Sequence, residues 1–270
     1  MKRIVLYRFH KHIPICRNKL QLLKLFNPDI EIYGLFGGRK SEVLKFEKAF
    51  ENKLRNVYYV PRKNVWWKSF SFDIAMRYWF NDYGHKIDFD VLHMIEWDIL
   101  LFNSLDKIYK NIPTSKIALT ALVPMNQIWG RWWWTKMEPW WIEQWGQLMD
   151  YVRDKYQYKK TPYASLGPGA CFPREFIEKF SQIEVPELCH DEVRLPLFAQ
   201  ALGFSLCNTK FRTKWFNPEE GKYFHCDKKQ IKYELIKEEL LKPNGRRVFH
   251  PYQSIIKIDE IQKILRLKDD

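Results

Sequence analysis

Glu96 and Asp98 place two carboxylates either side of Trp97, at the end of the apolar run Val91-Leu-His-Met-Ile95. A run of this length and composition predicts a strand buried on both faces. Side chains two apart on a strand point the same way, so both acids would face one point at the strand's C-terminal edge, where open α/β sheets bind ligands. Two acids there cost desolvation unless something positive offsets it, and a divalent cation bridging phosphate oxygens is a common solution. In isolation an acid-x-acid triplet is commonplace, and a strand running out into solvated acids is the plainer account. Other residues able to do chemistry lie downstream. His190-Asp191-Glu192 opens a helix, where Asp191 would serve as N-cap and Glu192 as a first-turn acid suited to the helix dipole. His225, Asp227 and His250 are the candidate ligands of the C-terminal part.

Between these groups lies the stretch from Trp129 to Trp145, with seven tryptophans in seventeen residues. A buried indole needs a partner for its N–H, so one local segment does not readily bury all seven. About half are expected in the core, on the high average burial of Trp. The rest would be exposed platforms for sugar rings, bases or lipid head-group regions.

The elements that must position these residues alternate. Ile4–Tyr7 reads as a strand, 15–26 as a helix stopped at Asn27-Pro28, and Glu31–Phe36 as a second strand closed by Gly37-Gly38. That glycine pair suits a tight turn or a close approach to phosphate or base, without the surrounding motif that would specify a ligand. Ser41 is placed to cap a helix with Val43, Phe46, Phe50 and Leu54 on its apolar face. A strand over 56–60, a helix over 70–83 and the strand before Glu96 follow, then a fifth strand over 116–123. Strands alternating with helices predict a parallel, doubly wound sheet. The stretch 161–174, with Gly167 and Gly169, reads as a loop leading into a helix over 175–180, and a further helix covers 193–202. Beyond 208 the chain is basic and less regular, with a short amphipathic helix over 261–267.

At 270 residues the chain suits one α/β domain with a C-terminal extension. Its apolar and aromatic content excludes a disordered chain. The formal charge of +13 favours anionic partners: nucleotide phosphates, nucleic acid or anionic lipid surfaces. Five cysteines without a Cys-x-x-Cys pair give neither a disulfide framework nor a zinc site. No apolar run approaches the roughly 20 residues of a membrane-spanning helix, and the N-terminus is too short in apolar length for a signal peptide. A cytoplasmic protein, peripheral at the inner membrane face, is the expectation.

Taken in order, Glu96-Trp97-Asp98, Ser165-Leu-Gly-Pro-Gly-Ala-Cys-Phe-Pro-Arg174, His190-Asp191-Glu192 and Phe249-His250-Pro251 resemble the motifs of nucleotide-sugar-dependent glycosyltransferases of the GT-A fold. The resemblance spans roughly residues 1–205 and, more loosely, reaches 252. It implies an α/β fold: a GT-A-like, doubly wound, mostly parallel sheet with helices on both faces and a C-terminal clasp. Residues 1–205 would form the catalytic domain, with 1–102 as the nucleotide-sugar and metal half and 103–205 as the acceptor half. Residues 206–270 would be an extension packed on the same domain. The implied cofactor is Mn²⁺ or Mg²⁺, held by Asp98 and His250, and a histidine ligand favours Mn²⁺. Glu96 would reach the metal through water or contact the ribose, with Gly37 and Gly38 also on the nucleotide side. Asp191 is the first choice as general base and Glu192 the alternative, for a transfer that inverts the anomeric centre. Trp132, Trp133, Trp140, Gly167 and Gly169 would face the acceptor. The implied partners are a UDP- or GDP-linked sugar, a glycan or lipid-linked acceptor and a peripheral membrane contact, with no nucleic acid.

The chain departs from the resembled pattern in two places. Glu96 stands where Asp is commoner, and the first strand lacks a Pro-x-Tyr-Asn start, so base-binding residues do not carry over. His225 competes with His250 as the distal ligand. The alternative function is a basic, Trp-rich protein that binds nucleic acid, carbohydrate or membrane without catalysis. Paired carboxylates at a buried strand end, which repel phosphate unless a metal intervenes, speak against nucleic acid, whereas a sugar- or membrane-binding module explains the tryptophans and leaves the acids without a role.

Overall fold

Short apolar runs alternating with segments of helical period build an α/β chain. The computed structural model describes residues 1–61, 70–137, 139–227 and 229–266. The main strands are β1 (Arg3–Phe9), β2 (Glu31–Phe36), β3 (Val57–Tyr59), β4 (Val91–Glu96), β6 (Ile117–Pro124), β7 (Tyr163–Pro173) and β8 (Leu206–Asn208). They form one seven-stranded, mostly parallel sheet in the order β3-β2-β1-β4-β7-β6-β8, flanked by helices. The antiparallel member is β7, which runs against both β4 and β6. Two further strands, β5 (Leu100–Leu101) and β9 (Val248–Phe249), pair antiparallel in a small separate sheet.

Packing divides the chain into two compact units that interleave in sequence. One comprises Ile4–Tyr59, Met94–Asn111 and Phe216–Asp270. In it β1, β2 and β3 pair in parallel through the helical crossovers α1 (Ile13–Phe26) and α2 (Val43–Phe50). Ser41 lies in a single 3-10 turn, Lys40–Glu42, and makes no cap bond, so α2 begins at Val43 instead of at a serine cap. Phe46 and Phe50 from α2 pack on Phe9 and Phe36 of the strands, with ring centroids 4.6–5.4 Å apart. Each such ring removed from water contributes roughly 1.5–3 kcal/mol. The Gly37-Gly38 turn has a packing reason: a Cβ on Gly38 would lie 2.3 Å from the Phe36 ring and 2.9 Å from the His10 carbonyl. The C-terminal residues are more regular than expected. After the single-turn helices α4 (Leu105–Ile108) and α9 (Pro218–Gly221), α10 (Tyr233–Leu241) and α11 (Ile258–Arg266) bury Ile236, Leu240 and Ile261 against Leu100, Phe102 and Phe249. Leu267, the expected end of the last helix, lies outside the described residues.

The other unit comprises Met1–Arg3, Val60–His93 and Ile112–Trp215. It contains α3 (Phe72–Asp82), α5 (Trp133–Met137), α6 (Pro139–Tyr156), α7 (Arg174–Gln182) and α8 (Asp191–Ala201). Residues 163–173, expected as a glycine-bearing loop, are strand β7. Its pairing with β6 shifts register between Ala118 and Thr120 and again between Thr120 and Val123. Pro168 and Gly169 (φ 81°) sit at this irregular stretch, and the Thr120 hydroxyl donates to the Pro168 carbonyl at 2.9 Å. Bulges are where strands accept proline and left-handed glycine.

Candidate functional site

The Glu96-Trp97-Asp98 triplet ends β4 and is clamped through its middle residue. The Trp97 N–H donates to the Arg8 carbonyl at 2.9 Å, and Ile99 N–H turns back onto the Glu96 carbonyl at 3.2 Å. The buried Trp97 indole is packed by His10, His12 and the Lys11 ammonium, the last 5.3 Å above the ring. With the indole fixed, the two flanking carboxylates have defined positions. Glu96 Oε1 accepts from Arg8 Nη1 at 2.8 Å, and Asp98 Oδ2 accepts from Gln253 Nε2 at 3.0 Å. Gln253 is itself held by the segment after it: Asn18 exchanges two 2.8 Å hydrogen bonds with Ile256, and Lys19 Nζ donates to the Ser254 carbonyl.

His250 reaches these acids because β9 pairs with β5, Leu100 opposite Phe249, so the residue after β9 returns beside the one before β5. Main-chain bonds fix it further. His250 N–H donates to the Tyr223 carbonyl, its own carbonyl accepts from His225, and Tyr252 N–H donates to the Asp98 carbonyl at 2.7 Å. Its Nε2 lies 3.3 Å from Asp98 Oδ1 and 3.9 Å from Glu96 Oε2. Its Nδ1 is 2.6 Å from the His225 carbonyl. A carbonyl only accepts, so Nδ1 carries a proton and Nε2 faces the two carboxylates with either a lone pair or a second proton. Burial alone would lower the His250 pKa, but Asp98, Glu96 and the His225 carbonyl together raise it. Burial likewise pushes the Asp98 carboxyl up, and His250 with Gln253 outweighs it, leaving Asp98 below its ordinary value.

This donor set fits a divalent cation. One ligand atom from each of Glu96, Asp98 and His250 lies within 4.8 Å of the others. Asp98 Oδ1 is buried and makes no hydrogen bond of acceptable geometry. An imidazole nitrogen beside two carboxylates is a donor set that several divalent metals accept, and a proton and a metal compete for Nε2. His225 lies outside this group of three: it supplies the carbonyl that orients His250, and its own Nδ1 accepts from Asp227 N–H.

In the other unit, His190 and not Asp191 is the N-cap of α8, with Nδ1 accepting from Glu192 N–H at 3.3 Å. Asp191 is 4% exposed, and its Oδ2 accepts from Phe72 N–H at 3.0 Å, at the start of α3. Glu192 keeps more access, with a side chain 17% exposed, and its Oε1 accepts from Gly167 N–H at 3.3 Å. Gly167 and Glu192 are thus neighbours, while Gly169 serves the bend in β7. Of the expected acceptor-side indoles, Trp133 and Trp140 are exposed. Trp132 is not a surface platform: it is buried against Trp141, Trp215 and His190 at 4.9–5.7 Å. Trp134 and Trp141 are also buried, so the segment divides between core and surface. His190, enclosed by these rings, is held well below its ordinary pKa by burial and then by Arg194.

Sequence reasoning did not single out Arg8, Gln253, Asp73 or Arg194. Arg8 and Gln253 orient the two acids. Arg194 and Asp73 form a fully buried bidentate pair, and Arg194 Nη1 also donates to the carbonyls of Leu188 and Cys189, which fixes the approach to His190. An arginine inside the otherwise apolar helix Val-Arg-Leu-Pro-Leu-Phe was the available signal.

No family model matches the chain, and no curated protein matches it in sequence. Solved structures similar to it include the galactosyltransferase LgtC in complex with donor and acceptor sugar analogs, 9% identical with a TM-score of 0.41. That match covers 98% of this chain and 95% of LgtC. An active-site mutant of LgtC matches over the same shares at 10% identity and a TM-score of 0.41. S. aureus TarS matches at 13% identity and a TM-score of 0.42, over 98% of this chain and 43% of TarS.

Proposed function

We propose that the chain is a metal-dependent glycosyltransferase that moves a sugar from a UDP- or GDP-linked donor to a hydroxyl of a glycan or lipid-linked acceptor. The observation that carries this reading is the convergence of Glu96, Asp98 and His250, with the imidazole oriented by the His225 carbonyl so that Nε2 faces both acids. Asp98 and His250 would hold Mn²⁺ or Mg²⁺, and Glu96, anchored on Arg8 through one oxygen, would offer the other to the ion, its water or the ribose. A divalent cation bound there supplies charge to the departing diphosphate. Asp98 keeps its ionised form under the combined pull of His250 and Gln253. Gly37 and Gly38 belong to the nucleotide side of this reading.

For an inverting course, one carboxylate takes the proton of the attacking hydroxyl. Glu192 is the better assignment, since Asp191 is buried and engaged with the start of α3. Trp133 and Trp140, with Trp129, are exposed indoles of this segment, and Trp133 and Trp140 would stack on a sugar face. Among the described residues no helix is long and apolar enough to cross a membrane.

The test is a thermal-shift panel of UDP- and GDP-sugars with and without Mn²⁺, on the unmodified chain and on Asp98→Ala. A ligand of the folded state raises the melting point by mass action. The expected result is a Mn²⁺-dependent shift for one donor that Asp98→Ala loses while staying folded. A donor shift of equal size in both proteins would remove the metal from the function.

A further inference from the structure

We infer that the hollow between the C-terminal half of α6 and the turn before β7 binds an anionic sugar residue, a pyranose ring carrying a carboxylate or a phosphate. The hollow has a volume of about 190 Å³. Binding clefts for whole drug-sized ligands run to about 300–1,000 Å³, so this one suits a single ring. One wall is apolar, made of Trp145, Met149 and Pro162. The Trp145 indole is held in place: it lies parallel to buried Trp141 (5.9 Å, 4° between planes) and against Trp129 at 6.2 Å. Opposite it the chain turns at Gln157 (φ 52°) and folds back, Tyr158 N–H reaching the Val152 carbonyl. The Tyr158 hydroxyl is already engaged with Gln200 at 3.0 Å.

The remaining lining groups are cations: Arg153, Lys159 and Lys160. Both lysines are exposed and have no carboxylate partner among the described residues. Among the described residues Arg153 pairs with Asp150 alone, at 3.5 Å, and the pair is so exposed that it contributes little. A fixed indole presents a face to the C–H groups of a sugar, and clustered ammonium and guanidinium groups make charge-assisted hydrogen bonds to a carboxylate or phosphate. A nucleic-acid base would stack on the same indole, so single-stranded oligonucleotides are titrated alongside the sugars.

This inference rests on the transferase reading in placing an anionic sugar in the acceptor, but its test is binding alone, with neither nucleotide nor metal. The Trp145 indole N–H resonance of the intact chain, assigned through Trp145→Phe, is followed during titration with a methyl glucuronide and a hexose phosphate. A neutral methyl glucoside and inorganic phosphate serve as comparisons. The charged sugars should bind at least about tenfold more tightly than either comparison. Lys159→Gln with Lys160→Gln, both at exposed positions, should abolish that preference without unfolding the chain, and Trp145→Phe, which lacks the reporting indole and is followed by titration calorimetry instead, should weaken every sugar. Equal binding of charged and neutral sugars overturns the inference. So does phosphate binding as tightly as the charged sugars, an unchanged preference in the double variant, or a response confined to anionic vesicles or single-stranded oligonucleotides. Failure here leaves the metal-dependent transfer standing, and loss of metal dependence leaves this site standing.

Discussion

Replacing Arg194 with methionine should cost the fold about 3–5 kcal/mol, because it strands the Asp73 carboxylate in the interior without its counter-charge. All five guanidinium N–H groups are placed. Nε and Nη2 donate to the two Asp73 oxygens at 2.8 and 2.7 Å, Nη2 also to the Phe70 carbonyl, and Nη1 to the carbonyls of Leu188 and Cys189. Neither charged side chain has any exposure. The value should lie toward the upper end of the range, since three carbonyls lose a donor as well and each such bond contributes about 1 kcal/mol. Combining Arg194→Met with Asp73→Leu removes the stranded charge and should recover at least about 2 kcal/mol. The assay is urea unfolding followed by tryptophan fluorescence, which reports on the indole cluster around His190. A loss below about 1 kcal/mol in the single variant, or no recovery in the double, would mean that Arg194 does not offset a buried Asp73 charge.

Three further outcomes are expected. His93 and His190 are held well below 6.5, by burial first and then by Arg3 and Arg194 respectively. The unfolded chain therefore binds more protons as pH falls below 6.5, so their stabilisation is full above that value and declines beneath it, by up to about 1.4 kcal/mol per pH unit for each histidine. Urea midpoints from pH 7.5 down to 5 should show a shallower acid decline in His93→Gln, and parallel curves would contradict this. Glu192→Gln should reduce transfer by roughly 10²–10⁴-fold with donor binding nearly unchanged, whereas Asp191→Asn should mainly lower the melting point; equal effects on turnover would undo the assignment of the base. Trp141→Ala should destabilise by about 3–5 kcal/mol, and Trp133→Ala by no more than about 0.5 kcal/mol while weakening acceptor use. An unfolded Trp133→Ala protein would make that indole part of the core.

The alternation of strands and helices, the end of β4 and the acid pair were legible because each rests on local periodicity. Residues 163–173 were not, since proline and two glycines read as a loop when no neighbouring strand is in view. The antiparallel partners β4 and β6, with their shifts of register, are what make that stretch a strand. His250 stood out only by its late position, and the pairing of β9 with β5 that brings it to Asp98 spans about 150 residues of chain. Asp191 read as an N-cap from its type, yet His190 caps the helix and Asp191 turns to α3, a contact that exists only in three dimensions. The tryptophan segment was legible as mixed, but which indoles are buried depends on Trp215 and His190, which periodicity does not supply.

If Glu96, Asp98 and His250 hold a divalent cation, a Mn²⁺ titration of the chain without nucleotide, followed by electron paramagnetic resonance, will report it. The unmodified chain should take up one Mn²⁺, more weakly as pH falls because the proton on His250 Nε2 competes with the metal. Asp98→Asn should lower the affinity by more than about 100-fold, and Gln253→Ala, which only orients Asp98, by roughly 10–100-fold. Mn²⁺ binding of equal affinity in the unmodified chain and in Asp98→Asn would mean that these three residues hold no metal.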